Sequence, residues 1–257
     1  MKTETLPLLC NPYAGEPFKL EDKNLVGIAS GSKFPIRNGI PVILDKPSYT
    51  TRNRWSRGCY DLLSAAYDPV LALGDRINLA ADQSVRREHI QNLRVSPGDM
   101  VLETAMGTGS NFLHLPEYGK YYGVDLSFQM LRRAQSKLAA NGRQAELFNC
   151  DGAYLPFRDS IFDLVFQMGG LQFYGDPFRG VSEMARVAKP GARIVIIDEV
   201  SGARRMLKRM PAHARYAQDS SSAIKAMPRL VPHSMTQISS SPIANGQFYS
   251  LIFSKPG

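Results

Sequence analysis

The stretch best equipped for chemistry is Val101–Phe112, VLETAMGTGSNF, where an apolar run gives way to Gly107 and Gly109 before a second apolar patch. Glycine lets backbone approach a ligand where any Cβ would collide. A strand-to-helix turn of this kind lies beyond the carboxyl ends of the strands in an open α/β sheet, which is where ligands bind. Asp125 closes the next apolar run, YYGVD, and a carboxylate there can accept from both hydroxyls of a ribose. Asp151-Gly152-Ala153 closes the third. Its carboxylate could accept from an adenine amino group, with Tyr154-Leu155-Pro156-Phe157 as a wall for the ring. Each feature alone has an ordinary structural reading: a glycine pair makes a tight turn, and Asp151 suits a turn or an N-cap. Three such features on successive strand ends point to a gripped nucleoside. Two phosphate-binding patterns fit less well. The dinucleotide fingerprint G-x-G-x-x-G needs a small residue where this chain has Phe112, and a P-loop needs a Gly-Lys-Ser/Thr that does not follow.

The elements that must position these residues follow from the pattern of apolar runs. Residues 1–48 read as short strands and turns, with Asn38-Gly39 as a turn between the apolar segments of Lys33–Leu44. Pro41 predicts an edge strand or a strand start, and so a small appendage outside the central sheet. Within 49–95, Tyr60–Leu73 and Asp82–Leu93 carry helical spacings, the first broken or kinked at Pro69. From Ser96 onward strands alternate with helices: strands at Asp99–Glu103, Tyr121–Asp125, Ala145–Asn149, Phe162–Phe166 and Ala192–Asp198, and helices at Asn111–Tyr118, Ser127–Asn141 and Phe178–Val187. Ser127 is the expected N-cap of its helix, with Met130, Leu131, Ala134 and Leu138 on one face. Lys189-Pro190-Gly191 is expected to be a turn. Short connections in such an alternation imply an α/β fold, a doubly wound, mostly parallel sheet covered on both faces. Met235–Ser241 and Gln247–Ser254 predict a C-terminal hairpin that adds an antiparallel edge. The expected division is 1–48, 49–95 and a core over 96–257.

Composition narrows the class. The chain has 257 residues, 44% hydrophobic and 21% charged, which excludes wholesale disorder and gives one main domain with a small addition. Three scattered cysteines, Cys10, Cys59 and Cys150, make no C-x-x-C, so a disulfide framework is not expected and a reducing cytoplasm is. The opening MKTETLPLLCNPY has no sustained apolar core, and no run of apolar residues is long enough to span a bilayer, so neither a signal peptide nor a membrane span is expected. The net charge of +8 admits anionic partners.

The series VLETAMGTGSNF, YYGVDLSFQML, FNCDGAYLPFRDSIFDLVF and EMARVAKPGARIVIIDE closely resembles the class I S-adenosylmethionine-dependent methyltransferases, nearest to the branch of quinone C-methyltransferases and small-molecule methyltransferases. The resemblance covers Val95–Glu199 with four ordered motifs, and it implies a Rossmann-like fold, S-adenosylmethionine as cofactor and methyl transfer as activity. The family writes its first loop E/D-x-G-x-G-x-G, whereas this chain has Glu103, then Ala105 at the first glycine position, then Gly107 and Gly109. By that resemblance Glu103 orients the methionine end through the loop, and Gly107 and Gly109 pass close to the cofactor. Asp125 holds the ribose, and Leu126 and Met130 flank adenine. Asp151, Gly152 and Ala153 meet the adenine edge, and Gln167 lies beside the methionine moiety. Tyr60 or Tyr67 closes over the cofactor. The N-terminal LLCNPYAGEPFKL…LVGIASGSKFPIRNGIPVIL looks like the small zinc-knuckle domain found in activators of tRNA methyltransferases. Of its four ligand positions only Cys10 carries a thiol, the others being Tyr13, Gly27 and Ser30. Tetrahedral zinc wants four ligands, so no metal is expected.

Ser201–His233 carries Arg204, Arg205, Lys208, Arg209, Arg215, Lys225 and Arg229 against Asp219, interleaved with Met206, Leu207, Met210, Met227 and Leu230. A solvated helix face explains this pattern, and so does a basic lid over an acceptor pocket that attracts an anionic or apolar small molecule. A membrane surface is a further partner that a basic amphipathic stretch admits. RNA is disfavoured because only Tyr216 is interleaved as a stacking platform. A general base is needed only for an acceptor that arrives protonated; His213 is the first candidate, ahead of His114, His233 and His89. Three functions remain in view: methyl transfer to a small molecule, methyl transfer to ribosomal or transfer RNA, and a cofactor-binding protein that is non-catalytic or turned to another reaction. Oligomeric state is not readable from the sequence.

Overall fold

The computed structural model describes residues 1–44, 87–199, 227–243, 246 and 248–257. An N-terminal unit holds β1 (Cys10–Asn11), β2 (Glu16–Glu21), β3 (Asn24–Gly27), β4 (Lys33–Arg37) and β5 (Ile40–Ile43), each antiparallel to the one before. Asn38 and Gly39 join β4 to β5 with φ of 51° and 78°, the two positive values a type I′ hairpin requires. The rest comprises β6 (Met100–Thr104), β7 (Lys120–Asp125), β8 (Glu146–Cys150), β9 (Phe162–Met168), β10 (Ala188–Glu199), β11 (Thr236–Ile243) and β12 (Phe248–Ser254), with helices α1 (Phe128–Ala140) and α2 (Pro177–Val187). All the strands belong to one twelve-stranded sheet in the order β1-β2-β3-β4-β5-β8-β7-β6-β9-β10-β12-β11. Pairing is parallel from β5 through β10 except between β5 and its N-terminal neighbour, and antiparallel at the β10-β12-β11 end. This is the doubly wound α/β sheet, with its C-terminal hairpin, that the alternation of elements requires.

The central strands are buried on both sides, so burial along β6 and β9 runs nearly unbroken with no alternation, taking in the polar Glu103, Thr104 and Gln167. On one face α1 packs Leu131, Ala134 and Leu138 against Val101, Phe112 and Phe166. On the other, α2 packs Val181, Met184 and Ala185 against Val165, Ile194 and Phe253. Ser127 caps α1, its hydroxyl accepting from the Met130 amide at 3.2 Å; such a cap is worth about 1 kcal/mol. Asp176 caps α2 the same way, with Pro177 at the first helical position.

Three expectations are corrected. Pro41 stands at a strand start, one of its two expected places, but the segment is no appendage outside the central sheet: Val42 and Ile43 pair in parallel with Asn149 and Cys150 of β8, so β5 carries the N-terminal unit into that sheet. Pro41 faces Ile36 in the hairpin, and the parallel pairs begin only after it, where amide donors are available again. The helix expected over Asn111–Tyr118 is a single 3-10 turn, Ser110–Leu113, since Pro116 stops anything longer. Lys189–Gly191 makes no break between elements; it lies inside β10 as an irregularity between the pairs Ala188–Phe162 and Arg193–Leu164, with Gly191 at φ 78°. Of the expected N-terminal helices only a helical turn at 87–91 falls among the described residues. No helix among them is long and apolar enough to cross a membrane.

Candidate functional site

The first loop leaves β6 at Thr104 and immediately takes left-handed backbone: Ala105 at φ 52°, Gly107 at 57° and Gly109 at 72°. A Cβ on Gly107 would meet nothing within 4 Å among the described residues, so toward them that glycine faces open space and its left-handed backbone angle accounts for it. Gly109 is different. A Cβ there would come 3.1 Å from both the Ala134 Cβ and the Met106 methyl, so close packing against α1 accounts for it. Phe112 is buried at the same junction, its ring 5.4 Å from that of Tyr121; the bulk that excluded the dinucleotide fingerprint fills space between the 3-10 turn and the sheet.

Asp125 lies at the tip of β7, half-buried. Its Oδ2 accepts from the Gly107 amide at 2.8 Å and its Oδ1 from the Ser127 amide at 2.8 Å, so one carboxylate ties the glycine loop to the start of α1. Asn149, fully buried on β8, donates its amide to the carbonyls of Asp125 and Leu126, both at 2.9 Å. Leu126 is half-buried beside it and Met130 is buried one turn into α1. At the tip of β8 the Asp151 Oδ1 accepts from the Ala153 amide at 2.9 Å. Gly152 lies against the ring of Tyr174, and any Cβ there would overlap the phenol. Burial pushes that phenol far above the ordinary tyrosine range. Glu103, fully buried on β6, accepts from the Asn111 side chain. Gln167 near the end of β9 is fully buried, and neither atom of its amide has a hydrogen-bond partner among the described residues.

Of the residues expected at the site, Glu103, Ala105, Gly107, Gly109, Asp125, Leu126, Asp151, Gly152, Ala153 and Gln167 fall on the carboxyl ends of four adjacent strands or on the loops that leave them, and Met130 lies in the first turn of α1. Tyr60, Tyr67 and His213 lie outside the described residues, as does 201–226 of the expected lid. His114 and His233 are exposed, and His89 is half-buried on the helical turn at 87–91. Two positioning residues were passed over in the sequence. Asn149 stands within a quoted motif but carries no charge. Asp198, buried at the end of β10, accepts from the amides of Gly170 and Leu171 at 3.2 and 2.8 Å and so sets the loop that follows Gln167. It gives the same acid-at-strand-end signal as Asp125. A cavity of about 580 Å³, lined by Lys2, Lys120, Arg143 and Glu146 among others, opens at the opposite end of β7 and β8 and touches none of the expected site residues. No group of three or more His, Cys, Asp or Glu among the described residues could hold a metal ion.

A nucleoside-bearing cofactor fits this arrangement on two observations: Gly107 fronts open space, and a buried amide at the neighbouring strand end lacks partners that a polar ligand can supply. Residues 102–196 match the family model described as a methyltransferase domain. The matched stretch lies within a Rossmann-like sheet, the fold that this chain shares with solved SAM-dependent methyltransferases. Among curated relatives, the demethylmenaquinone methyltransferase of Corynebacterium urealyticum is 36% identical over 143 residues, 54% of this chain and 57% of that protein. The chain therefore spans little more than half the length of that relative. Among solved structures, a SAM-dependent methyltransferase from Aquifex aeolicus superposes with a TM-score of 0.52 at 19% identity, over 65% of this chain and 88% of that one. The [4+2]-cyclase SpnF superposes with a TM-score of 0.60 at 14% identity, over 85% and 99%. At such identities these structures share the fold.

Proposed function

We propose that this chain transfers the methyl group of S-adenosylmethionine to a small, apolar, quinone-like acceptor. The reading is carried by Asp125, half-buried at the tip of β7, whose Oδ2 holds the glycine loop at Gly107 and whose Oδ1 holds the start of α1 at Ser127. In this reading Asp125 receives the ribose hydroxyls, Leu126 and Met130 flank adenine, and Asp151 with Gly152 and Ala153 meets its edge. The Gln167 amide finds its partners on the methionine moiety, with Glu103 setting the loop beneath. The cofactor supplies a methyl group on a positively charged sulfur. The chain's contribution is to hold an acceptor in line with it, a form of orientation worth on the order of 7–11 kcal/mol. The quinone-like acceptor is suggested by the curated relative named as a demethylmenaquinone methyltransferase. The division into 1–48, 49–95 and 96–257, with 201–233 as a lid, belongs to the same proposal.

The test is calorimetry followed by turnover. Asp125→Ala removes charge-assisted hydrogen bonds, each worth roughly 1.5–3 kcal/mol, and is expected to weaken S-adenosylmethionine binding at least tenfold. Wild-type affinity in the mutant would refute the ribose placement. With a short-chain demethylmenaquinone as acceptor, the wild-type protein is expected to release S-adenosylhomocysteine, at a rate that changes little with salt. A steep fall with salt on an RNA acceptor would move the assignment to nucleic acid.

A further inference from the structure

The 151–158 loop, which under the reading above faces adenine, is held from outside the methyltransferase domain. The Cys10 amide donates to the Pro156 carbonyl at 3.2 Å, the Arg158 amide donates to Leu8 at 2.9 Å, and the Cys10 thiol donates to the Phe157 carbonyl at 3.1 Å. Leu9 bridges Phe157, and both are fully buried. Beside these bonds stands a stack of three side chains. The Tyr13 ring lies 5.2 Å from that of Tyr154, and the Arg179 guanidinium sits 4.0 Å from the centre of the Tyr154 ring. Arg179 also donates from Nε to the Ala153 carbonyl at 2.9 Å.

Tyr13 is itself anchored. Its amide donates to the Asn11 side chain at 3.1 Å, and Asn11 donates to Glu16 at 3.1 Å and to the Ser32 hydroxyl at 3.0 Å. The Glu16 carboxylate also accepts from the amides of Ala29 and Ser30 and from the Ser30 hydroxyl. It therefore ties the 11–16 loop to the 27–32 loop through one buried group. Gly27 leaves room for it, because a Cβ at that position would overlap the carboxylate. A continuous path of hydrogen bonds and ring contacts thus runs from Glu16 through Asn11, Tyr13, Tyr154 and Arg179 to the backbone of Ala153. The Ala153 amide is bonded to Asp151.

We propose that the N-terminal unit is a built-in positioning clamp for the adenine-side loop, with Tyr13 as the positioning residue and the Glu16-centred pair of loops as its anchor. Tyr13 acts through Tyr154 and touches no reacting atom. The inference rests on the cofactor placement of the preceding section for its effect on binding, but not for its effect on the loop. An unclamped loop populates the binding-competent geometry less often, which raises the apparent Kd in proportion.

In the full chain, Tyr13→Ala is expected to raise the Kd and KM for S-adenosylmethionine about two- to tenfold, the range an aromatic pair supports. The kcat at saturating cofactor should be unchanged, and Tyr13→Phe should restore wild-type values. In cofactor-free protein, hydrogen exchange at the Ala153, Tyr154 and Arg158 amides should quicken in Tyr13→Ala. Val26→Ala, which thins the core of the same unit on β3, controls for stability alone: it should lower the melting temperature and leave Kd in place. A Val26→Ala loss of affinity equal to that of Tyr13→Ala would overturn the clamp. So would wild-type affinity in Tyr13→Ala when Asp125→Ala binds weakly, an outcome that leaves the cofactor placement standing. If Asp125→Ala binds as tightly as wild type, the placement fails and exchange decides the clamp by itself: unchanged loop protection in Tyr13→Ala overturns it, and faster exchange upholds it.

Discussion

Two residues at the strand ends are less comfortable than their neighbours, and each is informative. Ala105 holds φ 52°, a left-handed conformation that costs a residue with a Cβ roughly 1–2 kcal/mol. Ala105→Gly should relieve it and raise the unfolding midpoint by about 2–4 °C. A fall in the midpoint would mean that the methyl group packs to more effect than its backbone angle costs. Gln167 is the second case. A buried amide without partners among the described residues carries a desolvation cost of about 1–3 kcal/mol, and such a cost persists where binding requires it. Gln167→Leu, close in size and fully apolar, should therefore raise the thermal midpoint of the cofactor-free protein while weakening S-adenosylmethionine binding. Differential scanning fluorimetry with and without cofactor reads both effects. A mutant more stable when free and equally stabilised by cofactor would remove Gln167 from the site.

At the scale of single elements, what the sequence made legible was what local chemistry decides. The cap and apolar stripe of α1 are readable because Ser127, Met130, Leu131, Ala134 and Leu138 recur at helical spacing, and these same residues are buried or capping in the structure. The Asn38-Gly39 hairpin is readable because the turn demands two positive φ values. The partner of β5 was not readable, because a strand's far-side neighbour is chosen by the whole fold and Pro41 argued locally for an edge. Glu16 was invisible for a similar reason. Its donors come from Asn11 on β1 and from Ala29 and Ser30 beyond β3, and are brought together only by the pairing of β2 with both neighbours. Hydrogen bonds, led by the Ser30 hydroxyl and opposed in part by burial, hold this carboxyl down at about 2, against about 4.3 for a free glutamate. Its contribution to stability is therefore present in full above the unfolded value and lost as pH falls from about 4.3 through about 2. The gap in urea midpoint between wild type and Glu16→Gln should be constant near neutral pH and narrow through that window. A gap that stays constant in acid would show that the carboxylate's charge contributes nothing there.

Across the whole molecule, the N-terminal unit and the methyltransferase domain share more than a boundary. β5 and β8 are hydrogen-bonded in one sheet, and Leu9, Phe18, Leu25, Phe34 and Ile43 from the unit lie in the same buried cluster as Phe148, Phe157, Phe162 and Val165 of the domain. An interior shared in this way cannot be exposed in halves without opening both, so the two should unfold together even though their sequences read as separate pieces. Leu9 is the position to probe. It is fully buried and bridges Phe157 across the junction, and Leu9→Ala should cost about 2–5 kcal/mol through lost burial and the cavity left behind. Calorimetry on the wild type should give a single transition, with matching calorimetric and van't Hoff enthalpies over residues that include the unit. In Leu9→Ala that one transition should move down as a whole. An early, separate melting of the unit, with the remainder unmoved, would mean that the junction is a contact between independent bodies. The 151–158 loop would then have no rigid body to be clamped against.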